Sequence, residues 1–139
     1  MTKGFVNNMA MASKPRRPTE SELSILRVLW ERGPGSVRDI LRILNESRRT
    51  GYTTVLKLMQ IMTDKGLVER DESQRPQIYR ARYSQEHTQR QLVRDLLDRA
   101  FAGSVKDMVL QALATKRSSR EELEAIEKLL DRFEGERHQ

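Results

Sequence analysis

Between Thr19 and Gly66 the apolar residues recur at helical spacing in three separately punctuated runs, and directly after Gly66 the spacing becomes that of strands. The first run opens on Thr19 and Glu22, a T-x-x-E capping pair behind Pro18. It carries Leu23, Leu26 and Trp30 on one face and ends at Gly33-Pro34-Gly35. Ser36 with Asp39 repeats the signature for a short second helix bearing Val37, Ile40, Leu41 and Leu44, which stops at Asn45 and the polar residues 46–49. The third helix spans about Tyr52 to Lys65, with Val55, Leu58, Met59 and Met62 on one side and Gly66 placed to terminate it. Leu67 to Asp71 and Gln77 to Tyr83 then read as strands around the polar segment Glu72-Ser73-Gln74-Arg75-Pro76, with Tyr79, Ala81 and Tyr83 on one face. Three helices and a hairpin in this order predict a winged helix-turn-helix domain over residues 19–83, the hairpin being the wing.

From Ser84 the pattern is helical again. One run carries Leu92, Val93, Leu96, Leu97 and Phe101 and ends at Gly103. A second, capped by Ser104 with Asp107, directs Val105, Met108, Val109, Ala112 and Leu113 inward. A third, capped at Ser118 or Ser119, carries Leu123, Ile126, Leu130 and Phe133 at nearly coiled-coil spacing. So much apolar stripe on three helices within residues 84–139 calls for a partner subunit, which makes this a helical dimerisation domain with Leu92, Leu96, Phe101, Met108, Leu123, Ile126, Leu130 and Phe133 as its contact residues. The whole is expected to be mainly α, a winged helix-turn-helix domain followed by three dimerisation helices.

Charge separates the two halves. Up to Tyr83 there are 16 basic and 9 acidic residues, and after it 10 basic and 11 acidic, so the entire excess of the +6 net charge lies in front. A basic front suits a polyanion, nucleic acid or an anionic surface. Residues 1–18 show neither period and are expected to form a disordered basic arm, with Arg16 and Arg17 able to reach a neighbouring groove. The chain has no Cys and only two His, which excludes disulfide scaffolds, thiolate metal sites and a cysteine nucleophile; no metal or cofactor is expected. No apolar run approaches the roughly 20 residues of a membrane span, and the start has no apolar signal core, which points to the cytoplasm and away from membranes.

On a helical wheel Thr53, Lys57, Gln60 and Asp64 turn away from the apolar side of the third helix, with Thr54 and Leu56 flanking. Tyr52, Thr53, Thr54 and Lys57 occupy its first two turns, where a recognition helix meets base edges and where free N–H groups favour phosphate. Lys57 can donate to guanine or phosphate, and threonine offers a hydroxyl and a methyl for thymine. Arg48 and Arg49 ahead of the helix, and Arg75 at the wing tip, are candidate phosphate contacts. An ordinary amphipathic helix with a solvated polar side competes with this reading; the basic front, the helix order and the wing arginine favour DNA. Trp30, Tyr79 and Tyr83 are assigned to packing. The acids Glu69, Asp71 and Glu72 read as a solvated turn, because no phosphate-binding glycine loop, nucleophile elbow or metal-ligand spacing accompanies them and no enzyme is expected.

The strings Leu29-Trp30-Glu31, Gly33-Pro34, Gly51-Tyr52-Thr53-Thr54-Val55, Lys65-Gly66-Leu67-Val68-Glu69-Arg70, the wing pair Arg75 and Tyr79, and Phe101-Ala102-Gly103-Ser104-Val105 resemble the BlaI/MecI penicillinase-repressor family from about Thr19 to Phe133. The resemblance implies a homodimeric transcriptional repressor on operator DNA, with a winged helix in front and a dimerisation domain behind. It also implies a further partner in β-lactam-responsive members, a membrane sensor-protease that triggers cleavage in the C-terminal domain. Where those members carry an Asn-Phe cleavage pair this sequence has Gln111-Ala112, a departure that bears on the proteolytic trigger. Copper-responsive relatives carry C-terminal Cys-x-Cys pairs, absent here. The alternatives are a winged-helix regulator that answers to a small molecule and a winged-helix protein-interaction module without DNA binding.

Overall fold

The structure is a computed structural model that describes residues 5–6 and 17–137. Its elements run β1 (Phe5–Val6), α1 (Glu20–Arg32), α2 (Val37–Leu44), α3 (Tyr52–Lys65), β2 (Val68–Asp71), β3 (Ile78–Ala81), α4 (Gln85–Phe101), α5 (Val105–Thr115) and α6 (Arg120–Arg137). The predicted winged-helix order with three helices behind it is the order observed. The chain divides between Leu92 and Val93 into two compact units.

Local signals place the helices of the first unit. Thr19 Oγ1 accepts from Glu22 N while Glu22 Oε1 accepts from Thr19 N, and Ser36 and Asp39 make the same reciprocal pair at α2, so both predicted capping boxes form. Gly66 closes α3 with φ of 80°, a conformation costly for any residue with a Cβ, and Leu67 N returns to the Met62 carbonyl. The buried faces of α1, α2 and α3, built on Ile25, Leu26, Leu29, Ile40, Val55, Met59 and Met62, meet Leu67, Val68 and Tyr79 from the sheet in one core. Each such side chain contributes about 1.5–3 kcal/mol of burial.

Two polar ties lock the frame. Lys65 Nζ at the end of α3 lies 2.6 Å from Glu22 Oε1 at the start of α1, with both side chains largely withdrawn from water. Losing one partner of such a pair leaves the other charge buried alone and costs more than the pair gains. Trp30 Nε1 donates to the Tyr83 carbonyl at 2.9 Å, fastening the exit of the wing to α1. Tyr79 is buried in the core, and Trp30 and Tyr83 are half-buried, which agrees with their assignment to packing.

The strands are shorter than the β-prone runs that contain them. β2 and β3 pair antiparallel with Glu69 opposite Arg80 and Arg70 opposite Tyr79. An unexpected third strand lies on the outer edge of β2, where Phe5 pairs with Asp71 and Val6 with Arg70. The expected disorder of residues 1–18 therefore does not extend to Phe5–Val6; Arg16 and most of that arm lie outside the described residues.

The expected solvated turn at Glu69, Asp71 and Glu72 needs correction. Asp71 is only 5% exposed and accepts hydrogen bonds from Ser73 N, Ser73 Oγ and Gln74 Nε2, so its carboxylate organises the wing turn from inside. Glu69 bridges Arg80 and Arg82, and Glu72 pairs with Arg70.

These bonds hold the Asp71 carboxyl below its ordinary value, chiefly through the Ser73 hydroxyl and the Gln74 amide, and the Ser36 backbone N–H does the same for Asp39. A carboxyl lowered from 3.8 binds fewer protons in the folded chain than in the unfolded one. Both contributions are therefore complete above that value and disappear as pH falls through the lowered one. Thermal melts taken between neutral pH and about pH 3 are expected to show an acid limb that flattens in Asp71→Asn. An unchanged limb would remove Asp71 from the account.

In the second unit the predicted caps form at Ser104, which accepts from Asp107 N, and at Ser119 rather than Ser118, which accepts from Glu122 N. No residue from 93 to 137 is buried within the chain. Val105, Leu130 and Phe133 are 63%, 61% and 58% exposed, so the stripe expected to face inward is at most half-covered by the described residues.

Candidate nucleic-acid interface

The same periodicity that buries Val55, Met59 and Met62 forces the opposite side of α3 into solvent. Tyr52, Thr53, Thr54, Lys57 and Gln60 are all exposed, and no segment among the described residues covers them. Leu56 and Leu58 are half-buried at the margins, and Asp64 closes the exposed row at the C-terminal end. Two details escaped the wheel. Thr63 is buried with its hydroxyl donating to the Met59 carbonyl, and Ile61 is exposed.

The cap of α3 differs from its predecessors. Thr19 and Ser36 satisfy first-turn N–H groups of α1 and α2, but Gly51 gives α3 no side-chain acceptor. First-turn donors there remain available to an anion, and no acidic side chain occupies that turn.

Cations surround the exposed face. Arg48 and Arg49 lie exposed in the loop before α3, which is braced by Thr50 N donating to Asn45 Oδ1 at 2.6 Å. Lys57, Arg48 and Arg49 make no ion pair among the described residues. Arg75 stands exposed at the wing tip, where Nη1 donates to the carbonyls of Glu72 and Gln74 at 2.8 and 2.9 Å. That contact fixes the guanidinium against the turn without neutralising its charge. Arg32 and Arg42, by contrast, are matched with Glu46 and Asp39.

Sequence reasoning overlooked Arg38. It is exposed on the first turn of α2, with its guanidinium carbon 5.0 Å from the centroid of the Tyr52 ring. The only sequence signal was a lone arginine behind a capping serine, too common to single out. Arg17 is exposed just ahead of α1, and its carbonyl accepts from Lys65 Nζ at 3.2 Å.

The remaining predicted residues belong to the C-terminal helices. Leu92 falls at the end of the first unit. Leu96, Phe101, Met108, Leu123, Ile126, Leu130 and Phe133 lie in the second, each exposed or half-buried. Gln111 and Ala112 are exposed within α5, with the Gln111 carbonyl accepting from the Thr115 hydroxyl. Among the described residues no cluster of His, Asp or Glu could hold a metal ion, and no helix is long and apolar enough to cross a membrane.

The family model described as penicillinase repressor matches residues 18–132 of the chain. No curated protein matches it.

Proposed function

The chain belongs to the penicillinase repressor family, and from that premise we propose that it is a homodimeric repressor of transcription that occupies a palindromic operator through α3 and the wing. The observation that carries this reading is the outward side of α3, exposed over Tyr52, Thr53, Thr54, Lys57 and Gln60, with Arg48, Arg49 and Arg75 nearby that pair with no acid among the described residues. An α-helix fits the major groove of B-DNA, where each base pair presents a distinct pattern of donors, acceptors and methyl groups. Thr53 and Lys57 read bases, with Thr54 and Gln60 alongside. Arg48, Arg49 and Arg75 hold phosphates on either side.

The second unit joins two such readers. Its apolar residues stay exposed or half-buried among the described residues, and a second copy supplies the missing cover by symmetry. Two recognition helices related by a twofold axis then meet half-sites a multiple of about 10 bp apart, and a promoter so occupied is closed to polymerase. Release by proteolysis in α5 near Gln111 and Ala112 is the inducing step that the family suggests. A protease would have to unwind the helix to take those residues in extended form.

The test begins with duplexes selected from a random pool by the full-length protein. On the selected site Thr53→Ala is expected to relax base preference, lowering affinity there by about 1–3 kcal/mol while leaving random DNA little changed. Arg75→Ala is expected to weaken all duplexes alike and to reduce the salt slope by about two units, one for each protomer. Equal losses for Thr53→Ala on selected and random DNA would take the base-reading role away from that residue. A folded protein that selects no sequence would refute the operator reading.

A further inference from the structure

In the first unit the exposed Arg32, Arg42 and Arg90 are paired with Glu46, Asp39 and Glu86, whereas Arg38 lies over an aromatic ring. The neighbouring acid, Asp39, is engaged with Ser36 N at 3.0 Å and Arg42 at 3.7 Å. The Arg38 guanidinium carbon lies 5.0 Å over the Tyr52 ring centroid, a cation–π contact that holds the side chain without neutralising its charge. A guanidinium held over a ring, and not paired with an acid, can still form two parallel N–H hydrogen bonds to a phosphate.

Beside this pair the surface is concave. A hollow of about 130 Å³ lies where the starts of α2 and α3 meet the wing, with Val37, Leu56 and Tyr79 among its lining and Arg38, Tyr52 and Gln77 around it. Apolar side chains below and a cation at the edge match a deoxyribose ring and the phosphate attached to it. A DNA backbone seated there would touch α2, α3 and the wing at one point, which fixes both the height and the rotation of α3 in a groove.

We infer that Arg38, held on the Tyr52 ring, is a DNA-backbone clamp that seats one sugar-phosphate unit in this hollow, and that Tyr52 is a positioning residue rather than a base reader. The inference rests on the duplex-binding reading above and adds to it a contact residue, a contact site and a changed role for Tyr52. The clamp is sequence-independent, since every nucleotide presents the same sugar and phosphate.

The experiment measures affinity for a selected duplex and a random one across a salt series, for full-length wild type, Arg38→Ala, Arg38→Lys, Tyr52→Leu and the Arg38→Ala/Tyr52→Leu double variant. Arg38→Ala is expected to lose about ten- to a hundredfold on both duplexes, with the salt slope lower by about two, since each protomer loses one contact. Arg38→Lys restores the slope but not the affinity, because an ammonium has no plane to stack. Tyr52→Leu lowers affinity with the slope intact, and it adds less than about twofold once Arg38 is gone, the signature of residues acting as a unit. Both positions are exposed, so melting temperatures should stay at the wild-type value and serve as the folding control. If wild type binds but Arg38→Ala keeps its slope, or if the Tyr52 loss is the same with and without Arg38, the clamp is refuted and the duplex reading stands. If folded wild type binds no duplex at either end of the series, both fall.

Discussion

Raising salt from about 50 to 200 mM is expected to weaken duplex binding by about 10³- to 10⁵-fold, the loss produced by six to ten phosphate contacts. The number follows from the side chains around α3. Each protomer offers Arg38, Arg48, Arg49, Lys57 and Arg75, none of them paired with an acid among the described residues, and a twofold dimer offers them twice. Every cation that meets a phosphate releases condensed counterions, and the logarithm of the affinity falls by about 0.9 per contact for each tenfold rise in salt. Arg32 and Arg42, matched with Glu46 and Asp39, should not add to the slope. Fluorescence anisotropy of a labelled duplex over that range checks the result. A decline of less than about tenfold would mean that most of these side chains never reach the backbone, and a protein-interaction module would become the better account of the bare helix face.

What the sequence made legible, and what it did not, divides along one physical line. Helix boundaries are decided by neighbours three and four positions apart, so Thr19 with Glu22, Ser36 with Asp39 and the termination at Gly66 were readable as strings. The exposed side of α3 was readable for the same reason, because burying Val55, Met59 and Met62 determines which residues cannot be buried. Contacts between elements were not readable. Glu22 and Lys65, Trp30 and the Tyr83 carbonyl, and Arg38 and Tyr52 meet only once three helices and a sheet have packed. Asp71 misled because three acids on a hairpin look solvated, whereas local bonds to Ser73 and Gln74 let one of them turn inward. Phe5–Val6 left no trace because a two-residue strand is too short to show a period and is held by backbone pairing to β2.

Leu130→Asp is expected to turn the proposed dimer into a monomer and, through that, to lower affinity for the selected duplex by about 10²- to 10⁴-fold, the range by which linking two modules exceeds one alone. Leu130 sits on the α6 stripe with Leu123, Ile126 and Phe133, and it is 61% exposed within its own chain, so the change should leave each protomer folded. In a twofold assembly the substitution enters twice. An isolated carboxylate withdrawn from water costs several kcal/mol, enough to raise the dimer dissociation constant by at least about 10³-fold. Lys128→Ala, exposed on the same helix but off the stripe, is the control and should change neither quantity. Sedimentation at micromolar concentration reads the assembly, and duplexes carrying one or two half-sites read its consequence. The variant should bind both with the same weak affinity, where wild type prefers two. A variant that stays dimeric with undiminished preference would show that the stripe is not the seam. A wild type that sediments as a monomer at that concentration would leave α4, α5 and α6 without the partner their exposed leucines and valines require, and the twofold operator would lose its structural basis.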